Sequence, residues 1–175
     1  MSLAESLLAI AVAVTVVALL GAGYGVVNAE MQSRQMVEDT AALATRLQST
    51  FSFAGYSGID VPTLTSAKIL PFKSFSTDGT TLSDIRMNPV ALSGGPASLA
   101  LLFTASDADQ CMRLATSAAS YAYRIRVGPS VSASTGALAG ASGVDYKLGS
   151  TVTSSALGDP NGCANGNALV GIELH

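Results

Sequence analysis

The chain has 175 residues, of which 49% are hydrophobic and only 12% are charged, and its formal net charge is −3. This apolar content excludes an intrinsically disordered chain, and the nine scattered Lys and Arg residues, with a sequence pI of about 4.9, exclude nucleic acid as an expected partner. The 17 glycines and the absence of tryptophan predict a loop-rich domain with an aliphatic core.

The first predicted element is an apolar helix. Residues 6–29 carry no charge, and a helix of this length spans roughly 36 Å, enough to cross the roughly 30 Å hydrocarbon core of a bilayer. Neither a basic N-terminal region nor an A-x-A site indicates a cleaved secretory signal. We therefore expect residues 1–29 to form a transmembrane half-helix and residues 30–175 to form an exported domain.

Two features distinguish this segment from an ordinary membrane anchor. Glu5 places a carboxylate inside the apolar run, where it needs a partner unless it lies at the lipid–water boundary. Gly21, Gly23 and Gly25 each cost about 1 kcal/mol of helix propensity relative to alanine, so the segment can unwind inside a protein assembly. The alternative for these glycines is a helix-packing face of small residues. A dinucleotide-binding motif fails because Val26 occupies its third glycine position.

The helix is predicted to continue beyond the apolar run. No glycine or proline occurs from residue 30 to residue 54. Apolar residues recur there at intervals of three or four, which defines one stripe: Val37, Ala41, Ala44, Leu47 and Phe51. We expect one helix from residue 1 to about residue 53, with an amphipathic second half that packs on the globular domain.

The rest of the chain predicts an α+β domain with an antiparallel sheet. Asp60 and Asp107 are expected to cap two helices, the first ending before Pro71 and the second near Ser120. Strands are expected at 98–104, 122–127 and 167–174. Gly- and Pro-rich residues 72–96 are read as loop, and residues 128–166 as a long excursion held at its ends.

No arrangement of residues indicates catalysis, so the sequence predicts a protein that is not an enzyme and binds neither metal nor cofactor. The sole histidine, His175, is the last residue, which excludes a Ser-His-Asp triad and a multi-histidine metal site. Asp107 and Asp109 are explained by helix capping. Asp78 and Asp84 lack the EF-hand ligand pattern, which makes a calcium site between them a weak alternative.

The start of the chain, MSLAESLLAIAVAVTVVA, resembles mature type IVb pilins, including the bundle-forming, toxin-coregulated and conjugative thin-pilus pilins. The resemblance continues in the sequence YSGID at residues 56–60, in Asn88-Pro89 and in ADQC at residues 108–111. Cys163 before the last strand is similar in position to the second cysteine of those proteins. The usual basic leader ending in glycine is missing, so the sequence is interpreted as the processed chain.

The resemblance implies a role for each N-terminal feature. Met1 would be the processed and N-methylated terminus, and Glu5 would pair with the terminal amine of a neighbouring subunit. The segment Gly21–Gly25 would unwind in the filament. The implied partners are identical subunits, the inner membrane before assembly, and the prepilin peptidase with the assembly machinery. The implied final location is an extracellular filament.

Cys111 and Cys163 are the only cysteines. An even number beside an export-type N-terminus indicates a disulfide, with two separate buried thiols as the alternative. Two other functions stay open. The chain could be a minor pilin or pseudopilin, or a membrane-anchored periplasmic binding or enzymatic domain.

Overall fold

The structure is a computed structural model that describes residues 3–70, 72–164, 166 and 168–175, with the backbone alone described for residues 3–26. The chain divides into two compact units, Met1–Arg34 and Gln35–His175. Helix α1 is Leu3–Phe51. Every other helix and strand of the described chain belongs to the second unit.

The second unit contains two further α-helices and ten strands among its described residues. The helices are α2 (Val61–Ser66) and α3 (Ala108–Ala118), and a short 3-10 helix occupies Ser154–Gly158. The strands are β1 (Phe75–Thr77), β2 (Leu82–Asp84), β3 (Pro89–Gly94), β4 (Leu99–Thr104), β5 (Arg124–Gly128), β6 (Ser132–Ser134), β7 (Ala137–Ala139), β8 (Val144–Leu148), β9 (Thr151–Val152) and β10 (Leu169–Leu174).

Eight of these strands form one antiparallel sheet in the order β1-β2-β3-β4-β10-β5-β8-β9, and β6 with β7 forms a separate hairpin. The last strand in the sequence, β10, therefore lies inside the sheet between β4 and β5. The prediction of an α+β domain with an antiparallel sheet is confirmed.

One face of the sheet forms the main core. Successive strand residues point to opposite faces, and Leu101 of β4 and Ile125 of β5 both pair with Ile172 of β10. All three side chains are fully buried. They belong to a single apolar cluster that also includes Leu114 of α3 and Leu43 of α1. The part of α1 within the second unit thus packs in the core of the domain.

The buried stripe of α1 differs from the predicted one. Ala44 and Leu47 are fully buried as expected, whereas Val37 and Phe51 are only partly buried at the edge of the core. Met36 is fully buried instead, and its Sδ accepts a hydrogen bond from the Gln110 side chain of α3 (3.1 Å). The stripe is displaced toward Met36 because α3 contacts that side of the helix, which the sequence period alone does not reveal.

The opposite face of the sheet is covered by the β6–β7 hairpin. Ala100 of β4 forms a second, smaller apolar cluster with Val131 and Leu138. Gly171 of β10 lies under the hairpin, where a Cβ atom would come within 2.6 Å of the Leu138 side chain. The absence of a side chain at Gly171 lets the hairpin approach the sheet closely.

The prediction of a loop at residues 72–96 is wrong, because this region contains β1, β2 and β3. Its glycines and prolines mark strand ends and turns. Pro89 begins β3, a position where a strand tolerates the missing N–H. Gly94 ends β3, where a Cβ atom would overlap the carbonyl oxygen of Tyr56.

The prediction for residues 128–166 is also wrong in part. This region is not held only at its ends, because β8 pairs with β5 in the main sheet and the β6–β7 hairpin packs on the sheet face. The other predicted elements of the second unit occur with small shifts at their ends. Asp60 caps α2 and Asp107 caps α3, as predicted.

Candidate functional site

The N-terminal residues predicted to act in assembly fall outside the fully described chain. Met1 is not described. Glu5 and the glycines Gly21, Gly23 and Gly25 lie within the bounds of α1, in the stretch whose side chains are not described. The roles predicted for these five residues stay predictions.

Cys111 and Cys163 form a disulfide, as the sequence predicted, and their Cα atoms are 5.6 Å apart. Both cysteines are fully buried. Cys111 lies in the first turn of α3, just after the Asp107 cap, while Cys163 follows the short 3-10 helix. The bridge joins α3 to the segment that leads into β10. It therefore fixes the position of the segment that enters this central strand of the sheet.

A cluster of four charged side chains lies on the sheet face that carries the hairpin: Arg124, Arg126, Asp145 and Glu173. The Arg124 guanidinium binds Asp145 in a bidentate manner, with Nε–Oδ1 at 2.9 Å and Nη2–Oδ2 at 3.0 Å. Arg126 Nη1 donates to the same Oδ2 at 3.0 Å. Arg124 and Arg126 are two residues apart on β5, which directs both toward the same face. Asp145 on the neighbouring β8 lies opposite Arg126.

The pKa values of this cluster favour the ionised pair. Hydrogen bonding to Asp145 raises the pKa of Arg124 further above its ordinary value, despite partial burial. Burial tends to raise the pKa of Asp145, but the hydrogen bonds and charges of Arg124 and Arg126 outweigh burial and lower it. The pair of Arg124 and Asp145 therefore stays ionised at neutral pH.

The same cluster holds the hairpin on the sheet. Arg124 Nη1 donates to the carbonyl of Leu138 (3.1 Å), and Arg126 Nη2 donates to the carbonyl of Gly140 (2.8 Å). The buried Glu173 of β10 accepts a hydrogen bond from the Leu138 N–H (3.1 Å). Charged donors and acceptors thus satisfy backbone groups of the hairpin that would otherwise be unpaired at the sheet surface.

The sole histidine contacts this cluster at its edge. His175 Nε2 lies 3.1 Å from Glu173 Oε1, and its ring stacks on Tyr123 with the centroids 4.0 Å apart. The His175 side chain therefore packs on Tyr123 and lies within hydrogen-bond distance of Glu173.

The acidic residues considered for calcium or acid–base chemistry make local hydrogen bonds. Asp78 Oδ1 accepts from the backbone N–H groups of Thr80 and Thr81, which lowers the pKa of Asp78. Asp84 is buried and accepts from other backbone N–H groups in the β2–β3 turn. Asp109 pairs with Arg113 on α3. Over the described residues, no group of three or more His, Cys, Asp or Glu is arranged to hold a metal ion.

A shallow, mostly apolar groove of about 360 Å³ lies between the start of α2 and the β2–β3 strands. Its lining includes Ile59, Val61, Leu82 and Val90. Asp60 is the one ionisable residue among the described lining residues, and its carboxylate is engaged in capping α2. The groove therefore offers a mainly apolar contact surface.

Several large apolar side chains are exposed outside the groove. Val27 and Met31 of the first unit are more than half exposed. In the second unit, Phe53 is fully exposed and Met87 is 75% exposed.

Among helices whose side chains the structure describes, none is long and apolar enough to cross a membrane.

The charged cluster was missed by the sequence reasoning, although a signal was present. In AYRIRV the two arginines alternate with apolar residues, which indicates that both arginines share one strand face. The acidic partners are distant in sequence, at Asp145 and Glu173, so only the strand order brings them together.

No protein-family model and no curated protein matches this chain.

Proposed function

We propose that this chain is a structural subunit of the type IVb pilin class, which polymerises through its N-terminal helix into an extracellular filament. The observation that carries the proposal is the order of features at the start of the sequence. A single carboxylate at Glu5 precedes an uncharged run at residues 6–29, and an amphipathic segment follows directly. The same order occurs in the family that this sequence resembles.

A buried carboxylate explains why such a subunit would add in one register. An unpaired charge in a low-dielectric core costs several kcal/mol, so the assembled state favours positions in which Glu5 meets a positive group. The terminal amine of Met1 in a neighbouring subunit is the proposed partner. In an isolated anchor, Glu5 would have no such role.

The apolar half of the helix serves the subunit in two environments. In the membrane it is surrounded by lipid, and in the filament core the same surface is buried against neighbouring helices. Transfer between the two costs little because both environments are apolar. The segment from Gly21 to Gly25 lowers the cost of local unwinding where helices crowd together.

The second unit provides features suited to a domain exposed outside the cell. A buried disulfide is stable in an oxidising compartment. The hairpin and β8 are held by a charged cluster in addition to apolar contacts. The sheet ends in the short strands β1 and β9, which limits edge-to-edge pairing outside an ordered assembly.

The proposal is tested by expressing the chain behind a prepilin leader together with a type IVb assembly system. Filaments sheared from the cell surface would be separated from membranes and analysed by mass spectrometry. We expect this chain to be the main protein of the filament, with an N-methylated Met1. Recovery only from membranes, with a working assembly system, would instead identify a minor subunit or an anchored periplasmic domain.

A further inference from the structure

The peptide bond between Asp159 and Pro160 lies in a tight turn that comes directly before the disulfide. The carbonyl oxygen of Asp159 accepts a hydrogen bond from the Gly162 N–H (2.8 Å). The side-chain Oδ1 of the same residue accepts one from the Asn161 N–H (2.7 Å). Asp159 is half-buried and Pro160 is exposed, so water reaches this bond.

We propose that this turn is a site of acid-promoted self-cleavage, in which the Asp159 carboxyl group breaks the bond to Pro160. The bond is a tertiary amide, whose nitrogen carries no hydrogen and is a better leaving group once protonated. The hydrogen bond from Asn161 closes a ring that contains the Asp159–Pro160 bond. The hydrogen bond therefore holds the Asp159 side chain folded toward this peptide bond, so its carboxyl group stays near the backbone carbonyl carbon of Asp159.

The reaction consumes one water molecule. A carboxyl oxygen of Asp159 attacks the carbonyl carbon of Asp159, and the C–N bond to Pro160 breaks. The electron pair and the carboxyl proton go to the Pro160 nitrogen, which leaves as a secondary amine and takes up a further proton from the acidic solution. Water then opens the five-membered cyclic anhydride and leaves Asp159 as a C-terminal residue.

The Gly162 N–H donates a hydrogen bond to the backbone carbonyl oxygen of Asp159. This oxygen gains negative charge during the attack. A donor already directed at this oxygen stabilises the tetrahedral intermediate, and one such donor contributes roughly 10²- to 10³-fold in enzymes. Because this turn is open to water, we expect a smaller acceleration of about tenfold over the unfolded chain. Position 162 requires glycine because a Cβ atom there would overlap the Ala156 carbonyl oxygen.

Cleavage would leave the domain assembled. The new C-terminal chain, residues 160–175, contains Cys163, which stays bonded to Cys111. It also contains β10, which pairs with β4 on one side and β5 on the other. Acid would therefore convert the protein into a two-chain form joined by a disulfide and by a central strand.

The test is an incubation of the purified full chain in detergent across a series of acidic buffers, with circular dichroism reporting whether the fold persists. A synthetic peptide of residues 155–164 serves as the unfolded reference. We expect no change on a non-reducing gel. On a reducing gel, a small C-terminal fragment beginning at Pro160 should appear about tenfold faster than the peptide is cut. The intact disulfide-linked product should gain the mass of one water.

The matched variants are D159N, which keeps the hydrogen-bond acceptor but removes the carboxyl group, and P160A, which restores a secondary amide. We expect both to remain uncut over the same period. Cleavage of D159N at the wild-type rate would overturn the proposal. A wild-type chain cut no faster than the peptide would overturn the role of the turn, including the case in which the fold is lost before cleavage begins.

Discussion

Asp60 and Asp107 show how single carboxylates fix local structure in this domain. Asp60 Oδ1 accepts from the Thr63 N–H (2.9 Å) at the start of α2, and its hydrogen bonds from the Thr63 hydroxyl and N–H lower the pKa of Asp60. Asp107 Oδ1 accepts from the Gln110 N–H (2.7 Å) at the start of α3. Each satisfies a backbone donor that has no partner within its helix.

The acid sensitivity of the fold should depend on Asp145. Its pKa is lowered in the folded state, so its contribution to stability is present above the ordinary aspartate value of about 3.9 and is lost as the pH falls through the folded pKa. We expect the difference in unfolding free energy between wild type and D145N to be largest at neutral pH. It should narrow as the pH falls below about 4.

The measurement is chemical denaturation of the full chain in detergent at several pH values. D109N is the matched control, because Asp109 pairs with Arg113 on an exposed helix surface, where ion pairs contribute little. We expect D109N to follow the wild-type pH profile closely. Parallel profiles for wild type and D145N would contradict the role assigned to the charged cluster.

The disulfide is the main covalent constraint on the elements around β10. Cys111 and Cys163 are separated by 52 positions, and closing a loop of this size contributes about 4 kcal/mol in the chain-entropy model. The loop includes β5, the hairpin and β8, each of which also has its own contacts with the sheet. The bridge therefore reinforces an ordered region.

Replacing both cysteines by serine should lower the unfolding free energy by about 2–5 kcal/mol. We expect faster proteolysis within residues 129–162 and a strong reduction in surface filament, while insertion of the N-terminal segment into membranes is unchanged. Limited proteolysis of membrane fractions, combined with filament yield after shearing, measures both effects. Wild-type protease resistance together with a normal filament yield would remove the disulfide from this account.

The glycine segment of α1 makes a separate prediction for the assembled state. Gly21, Gly23 and Gly25 reduce helix propensity at one place, and neighbouring subunits can surround the freed backbone groups. We expect the backbone of residues 21–25 to be non-helical in the filament. A filament density map with unbroken i→i+4 hydrogen bonds through this segment would refute the prediction.

The sequence predicts the domain well where the signal is local and poorly where strand order decides. Caps at Asp60 and Asp107 and the apolar strand β4 are readable because each depends on neighbouring residues. Strands of three residues, such as β1 and β2, are too short to show a period and lie among turn residues. The partners of Arg124 could not be predicted, because Asp145 and the carbonyl of Leu138 reach it only through the fold.

On the scale of the whole molecule, the proposed function requires the N-terminal helix to be an assembly element in which Glu5 meets a positive charge from another subunit. An anchor that stays in the membrane would lose nothing when Glu5 becomes neutral, since removal of a charge favours insertion. In a filament subunit, the same change would leave the terminal amine of a neighbouring subunit buried and unpaired, at a cost of several kcal/mol.

The most direct measurement is therefore the ratio of sheared surface filament to total membrane protein for wild type, E5Q and E38Q. Glu38 is an exposed carboxylate on the same helix and supplies the matched control. We expect E38Q to assemble normally and E5Q to reach the membrane at the wild-type level but to yield little filament. Mixtures of E5Q with wild type should lose filament in proportion to the mutant share. Wild-type filament from E5Q at an equal subunit level would contradict the account.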